Sequence, residues 1–125
     1  MDMKGYQQYK EQSINTMTQG ELLLLLYDEL YKRLSLAEIM LDKKDYPVFE
    51  DSIDRSVAII DYLDATLDHQ YPISKNLAQL YEYFTYQLGR VRIGRRKEVL
   101  SPVKDMVNEL RGAFRQAQKS GDSEK

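Results

Sequence analysis

His69 is the only histidine in the chain, and there is no cysteine. Those two facts close most routes to catalysis. A Ser–His–Asp arrangement would have to run through His69, which stands in the polar segment His-Gln-Tyr-Pro at residues 69–72. A surface histidine accounts for it better. A di-iron centre in a helical protein needs inward glutamates and Glu-x-x-His pairs. Three residues before His69 stands Thr66, so no such pair exists. Without cysteine there is no thiolate ligand, no thiol nucleophile and no disulfide. Asp54, Asp61, Asp64 and Asp68 fall at helical spacing. Calcium needs oxygen ligands on a curved loop, so a solvated helix face explains them better. The six glycines are dispersed and form no phosphate-cradling loop. Arg90, Arg92, Arg95, Arg96 and Lys97 form one basic cluster, which could meet phosphate or an acidic partner. The run is short and the net charge is −2, which favours cations placed at a helix C-terminus. The residues therefore give no enzyme chemistry, no metal, no cofactor and no nucleic-acid partner.

What remains is apolar and tyrosine surface. At 125 residues, the chain is one domain long enough to build its own core. The opening MDMKGYQQYKEQS has no apolar core of signal-peptide length, and no later run approaches a membrane span. The expectation is a cytoplasmic protein that is not inserted in a membrane. Ten tyrosines are an excess over any catalytic need. Tyrosine joins a large apolar body to a polar tip, which suits recognition of a helical or disordered polypeptide.

Four segments must position that surface. Thr18 and Glu21 form a capping box ahead of the run LLLLL, with Met17 and Leu22 at the staple positions. The helix that follows carries Leu23, Tyr27, Leu30, Leu34, Ala37 and Leu41 at alternating spacings of four and three. Leu22 and Leu26 widen the stripe. Leu25, Leu36, Ile39 and Met40 form a second strip around Glu29. That strip either meets further bundle neighbours or is kept for a partner's helix. Asp45 and Pro47 start a second helix with Phe49, Ile53, Ser56, Ile60, Leu63 and Leu67 on its seam. Ser74 caps a third, with Leu77, Tyr81, Phe84, Leu88 and Val91, and Gly94 takes its C′ position. Ser101 and Pro102 read as N-cap and first position of a fourth, with Val103, Val107, Leu110, Phe114 and Ala117. A short turn at residues 97–100 precedes it.

The spacing thus predicts an all-α, up-down-up-down antiparallel four-helix bundle over residues 18–117. Residues 1–17 are a loose N-terminal arm. It is either a frayed terminus or a detachable flap carrying Tyr6, Tyr9 and Ile14. Residues 118–125 have the composition of a disordered tail.

Several stretches resemble the flagellin export chaperone family (FliS). They are Tyr9 with Ile14-Asn15-Thr16, the Thr18 cap with LLLLLYDEL, LDKKDY at 41–46, NLAQLYEYFTYQL at 76–88 and ELRGAF at 109–114. The similarity spans residues 6 to 117. Each motif is loose alone; their order and spacing make the match. The family's usual Ser-Pro is Thr18-Gln19 here, its Ala-Asn is Val91-Arg92, and a late Trp is Phe114. The resemblance implies a four-helix bundle that binds the disordered C-terminal segment of flagellin in the cytoplasm. It implies that premature polymerisation is prevented and that the client is delivered to the flagellar type III export gate. Leu22, Leu26, Asn76, Leu77, Leu80 and Tyr83 match motif positions, and Leu25 joins them as a candidate client contact. Tyr6, Tyr9 and Ile14 would form a cap over the apolar surface until flagellin displaces it. The rival reading is an adaptor or scaffold bundle with another amphipathic helical partner.

Overall fold

Thr18 sets where the first helix begins. Its Oγ1 accepts a hydrogen bond from the Glu21 amide at 3.1 Å, and the helix α1 runs from Gln19 to Asp42. The computed structural model describes residues 17–123. The arm residues Tyr6, Tyr9 and Ile14 lie outside the described residues. Three further helices follow: α2 (Tyr46–Ala65), α3 (Ile73–Gly94) and α4 (Lys97–Ser123). Each packs on its chain neighbours, and α4 returns to pack on α1. The described residues form the antiparallel four-helix bundle that the seams require, with no strand among them.

The seams are the core. Tyr27, Leu30, Leu34 and Ala37 of α1 are fully buried against Phe49, Ile53 and Ile60 of α2 and Phe84, Leu88 and Val91 of α3. Burial fades toward the helix ends: Leu23, Leu41, Leu67, Leu110 and Phe114 are half-buried, and Ala117 is exposed. The Asp45 side chain caps α2 through the Val48 amide, with Pro47 in the first turn.

Four local readings need correction. The fourth helix starts at Lys97, not Ser101, so Leu100 belongs to the helix and is fully buried. Pro102 cannot donate to the Glu98 carbonyl, and its ring crowds that oxygen. Both residues are exposed, so water can serve that oxygen. Ser101 is not a cap; its hydroxyl donates to Glu38 on α1 at 2.7 Å. At the start of α3, Pro72 is the N-cap residue with no side-chain cap, and Ser74 is buried within the first turn. The Pro72 ring already holds the helical φ of −55°, which replaces a cap as the starting device. At the end of α3, the left-handed residue is Arg95 (φ 53°, ψ 47°) rather than Gly94. A non-glycine residue there costs about 1–2 kcal/mol. The Arg95 guanidinium sits 3.5 Å from the centre of the Tyr46 ring, a cation–π contact that offsets part of it. Finally, α4 continues past residue 117 to Ser123, because the Gln-Ala-Gln-Lys stretch at 116–119 consists of good helix formers.

Side chains between α1 and α4 fix their register. Asp28 accepts from Arg115 at 2.8 Å and from Arg111 at 3.4 Å. Glu38 binds Ser101 and Lys104, the latter at 3.0 Å, and Asp42 pairs with Lys97 at 2.9 Å. Acidic positions rise along α1 as their partners descend along α4, so sliding one helix by a turn breaks the whole set. The Glu38 site is the best shielded of these ion pairs, with side-chain exposures of 20% and 19% for Glu38 and Lys104. Its hydrogen bond from Ser101, and then Lys104, holds the Glu38 carboxyl below the usual carboxylate range.

A carboxyl held low contributes stability above its unfolded pKa and loses it as pH falls through the lower folded value. Glu38→Gln should therefore destabilise the protein by about 1–1.5 kcal/mol at neutral pH. In thermal melts from pH 7 to pH 3, the gap between variant and parent should close at the acid end. A gap that is constant with pH would mean the charge on Glu38 is not what Ser101 and Lys104 hold.

Candidate polypeptide-binding groove

One end of the bundle gathers the starts of α1 and α3 and the ends of α2 and α4. Seam residues there lack a further helical turn to cover them. The result is an apolar groove of about 350 Å³. Its walls are Leu22, Leu23 and Leu26 from α1, Leu63 from α2 and Leu67 just beyond it, Leu77 and Tyr81 from α3, and Phe114 from α4. Gln19, Tyr62, Thr66 and Asp68 form the polar rim. Two of those rim groups are already engaged locally. The Thr66 hydroxyl donates to the Tyr62 carbonyl at 2.9 Å, and Asp68 Oδ1 accepts from the Gln70 amide at 3.0 Å. The floor is left to carbon. Gly20 also borders the groove, and α4 crosses close above it: a Cβ at Gly20 would collide with the Gln118 side chain.

Tyr27 holds the groove's shape from below. Its ring packs on Phe114 with centroids 5.2 Å apart, and its hydroxyl lies 2.5 Å from that of Tyr81. Both groove residues are therefore tied to one fully buried side chain. Burial pushes the pKa of both phenols above the usual value; the charge of Asp64 adds to the rise at Tyr81. Both are neutral at physiological pH, and each can donate to the other.

The sequence-derived candidates divide. Leu22, Leu26 and Leu77 come together in the groove. Leu25, 39% exposed, lies outside its lining. Asn76 and Tyr83 are exposed on α3, and Leu80 is half-buried against the core; none of the three lines the groove. Tyr83 instead accepts from Gln87 on its own helix at 3.1 Å. Leu63, Leu67, Tyr81 and Phe114 were legible only as seam positions. The signal that marks them as site residues is their place at the helix ends, where a seam runs out of cover.

The basic cluster disperses. Arg92 makes a bidentate pair with Asp54 at 2.8 and 3.2 Å, Lys97 pairs with Asp42, and Arg95 lies on Tyr46. These three contacts lie at helix ends; Arg90 donates to Gln87 at 2.9 Å, and Arg96 has no ion pair among the described residues. No cluster of potential metal ligands occurs among the described residues.

The chain matches the family described as "Flagellar protein FliS" over residues 2–121. It is 30% identical over 112 residues to the flagellar secretion chaperone FliS of Bacillus subtilis (strain 168), covering 90% of this chain and 84% of that one. The crystal structure of a flagellar chaperone from bacteria has the same fold, with a TM-score of 0.77. That match covers 96% of this chain and 99% of the other at 16% identity.

Removing one hydroxyl of the tyrosine pair leaves the other buried without its partner. Tyr27→Phe and Tyr81→Phe should each lose about 1–3 kcal/mol in urea unfolding, and the double variant clearly less than their sum. Because folding raises both pKa values, the parent's stability should be full below about pH 10 and fall as pH rises beyond it. The double variant should show a flatter alkaline limb. Strictly additive losses and an unchanged limb would show that the two hydroxyls act independently.

Proposed function

Since the chain belongs to the FliS family of flagellar secretion chaperones, which are not enzymes, we propose that its client is flagellin, held through the disordered C-terminal segment. The observation that carries this reading is the leucine- and tyrosine-lined groove at the end of the bundle where the arm joins α1. A disordered segment loses conformational entropy when it orders, so its chaperone must offer apolar surface that the client alone lacks. Large client side chains fill the groove, and the engaged polar rim leaves few groups to be stripped of water in vain. Leu22, Leu26 and Leu77 are the central contacts. Leu25, Asn76, Leu80 and Tyr83 extend the surface beyond the groove as the client passes over α1 and α3.

The arm competes for this surface. Gln19 and Gly20 at the start of α1 border the groove, and the arm that carries Tyr6, Tyr9 and Ile14 precedes them directly in the chain. Those three side chains cover apolar surface until flagellin displaces them. The work is done in the cytoplasm, where the bound client is kept from polymerising and handed to the flagellar export gate. Among the described residues no helix is long and apolar enough to cross a membrane.

Isothermal titration with the C-terminal segment of flagellin from the same organism tests the reading. Tight binding with a large negative heat-capacity change is expected. Leu26→Asp should weaken it by about 1–4 kcal/mol while circular dichroism stays that of a folded bundle. Undiminished affinity in a folded Leu26→Asp protein would remove the groove from the client site. No binding by the parent chain would remove flagellin as the client.

A further inference from the structure

One face of α3 carries apolar side chains that nothing in the chain covers. At 3.6 residues per turn, Glu82, Tyr83, Tyr86, Gly89, Arg90 and Ile93 fall opposite the buried seam of Leu77, Tyr81, Phe84, Leu88 and Val91. All six are exposed. Ile93, at 88%, and Tyr86, at 68%, are the most exposed large apolar side chains among the described residues.

Gly89 adds an independent observation. A glycine inside a helix costs about 0.5–1 kcal/mol relative to alanine. A Cβ at this position would meet nothing within 4 Å, and no glycine among the described residues has a positive φ. The fold of the single chain therefore does not require a glycine here. Gly112 of α4 is equally open, but its neighbours on that helix face, Asn108, Glu109, Arg115 and Gln116, are polar. Gly89 stands beside Tyr86 and Ile93, where a missing side chain lets another surface approach closely.

The surface that fits this face is the same face turned end for end. Tyr86 is its midpoint: Glu82 and Arg90 stand four residues to either side, and Tyr83 and Gly89 three. A two-fold axis at Tyr86 thus sets Glu82 of each copy against Arg90 of the other. The same operation lays each Tyr83 ring over the other copy's Gly89 and brings the two Tyr86 rings together. Glu82 and Arg90 have no ion pair among the described residues, and Arg90 is held only by Gln87 of its own helix. A parallel pairing would set Glu82 against Glu82 and Arg90 against Arg90, so charge selects the antiparallel one.

We propose that the outward face of α3 is the contact of a homodimer, with the two α3 helices antiparallel about Tyr86. From Glu82 to Ile93 the helix rises about 17 Å. One such face per copy buries less than about 1,200 Å² in total, the range of weak and reversible association. The pairing belongs to the free chain, since Tyr83 also lies on the proposed client surface.

Sedimentation equilibrium of the full chain, from micromolar to millimolar concentration, tests it. A monomer–dimer equilibrium that weakens as salt rises is expected. Glu82→Arg and Arg90→Glu should each weaken dimerisation about tenfold or more, because each sets like charges together at both contacts. Mixed in equal amounts, the two variants should pair with one another, since the mixed dimer has opposite charges at both contacts again. The chain carrying both reversals should dimerise like the parent. Gly89→Gln should weaken dimerisation as much as either single reversal, while urea unfolding shows a bundle no less stable, because glutamine is the better helix former. Circular dichroism should stay that of the folded bundle throughout, as these positions are exposed. The proposal fails if the parent is a monomer at millimolar concentration. It also fails if either charge variant dimerises like the parent, if the two stay apart when mixed, or if Gly89→Gln pairs undiminished.

Discussion

The hydrogen bond between Tyr27 and Tyr81 is the constraint on which the groove depends. It joins α1 to α3 across the diagonal of the bundle, where helices otherwise scarcely meet. Two phenols are kept from water there, and each is satisfied only by the other. An unmade bond in that place would leave a buried polar group, so the pair specifies how far apart α1 and α3 stand. That spacing sets the width of the leucine groove, since Leu22 and Leu26 lie on one wall and Tyr81 on another. Phe114 is drawn into the same arrangement through the Tyr27 ring. One buried side chain thus coordinates three helices at the end of the molecule where cover is thinnest.

The bundle is uneven around that point. Between α1 and α4 the contacts are dense and laced with charge: Asp28 with Arg111 and Arg115, Glu38 with Ser101 and Lys104, Asp42 with Lys97. Arg111 also lies over the Tyr31 ring, 4.3 Å from its centre. The packing of α3 on its neighbours is sparser. Its far end is held by Arg92 on Asp54 and Arg95 on Tyr46, and its near half by the tyrosine pair. The leucine groove has α3 as one of its walls. Binding surfaces belong on the less tightly packed side of a fold, where side chains can adjust without disturbing the core. The α1–α4 half supplies the rigid frame.

The seams made the architecture legible because a four-three repeat on four segments admits few arrangements other than a bundle. Thr18 and Asp45 were legible because a side-chain cap is a local interaction between residues three apart. The misread boundaries share the opposite property: tertiary contacts decide them. Ser101 has the chemistry of a cap but faces Glu38, and the helix runs through Pro102 so that Leu100 is fully buried. Gly94 is the better left-handed residue in isolation, yet Arg95 takes that role because Tyr46 waits beside it. The groove was half legible. Leu22, Leu26 and Leu77 stood out by sequence, whereas Leu63, Leu67 and Phe114 looked like ordinary core. Nothing in a repeat says where its cover ends.

A groove of about 350 Å³ accommodates only a few side chains, far less apolar area than a disordered segment must bury to order itself. The proposed client therefore cannot be held by the groove alone. Outside it, other apolar residues are exposed: Leu25 and Ile39 on α1, Val48 on α2, Tyr71 after it, and Ile73, Tyr83, Tyr86 and Ile93 on α3. No single one is an anchor by its surroundings. In the proposed function they extend the contact with the client beyond the groove, each contact weak and easily released. The groove supplies position, because its width is fixed by Tyr27 and Tyr81. The scattered surface supplies area without the permanence of a second core. For a carrier that must give its client up, that division is physically apt: an anchored end can be released by opening one site, and the remaining contacts are too few per residue to hold on their own.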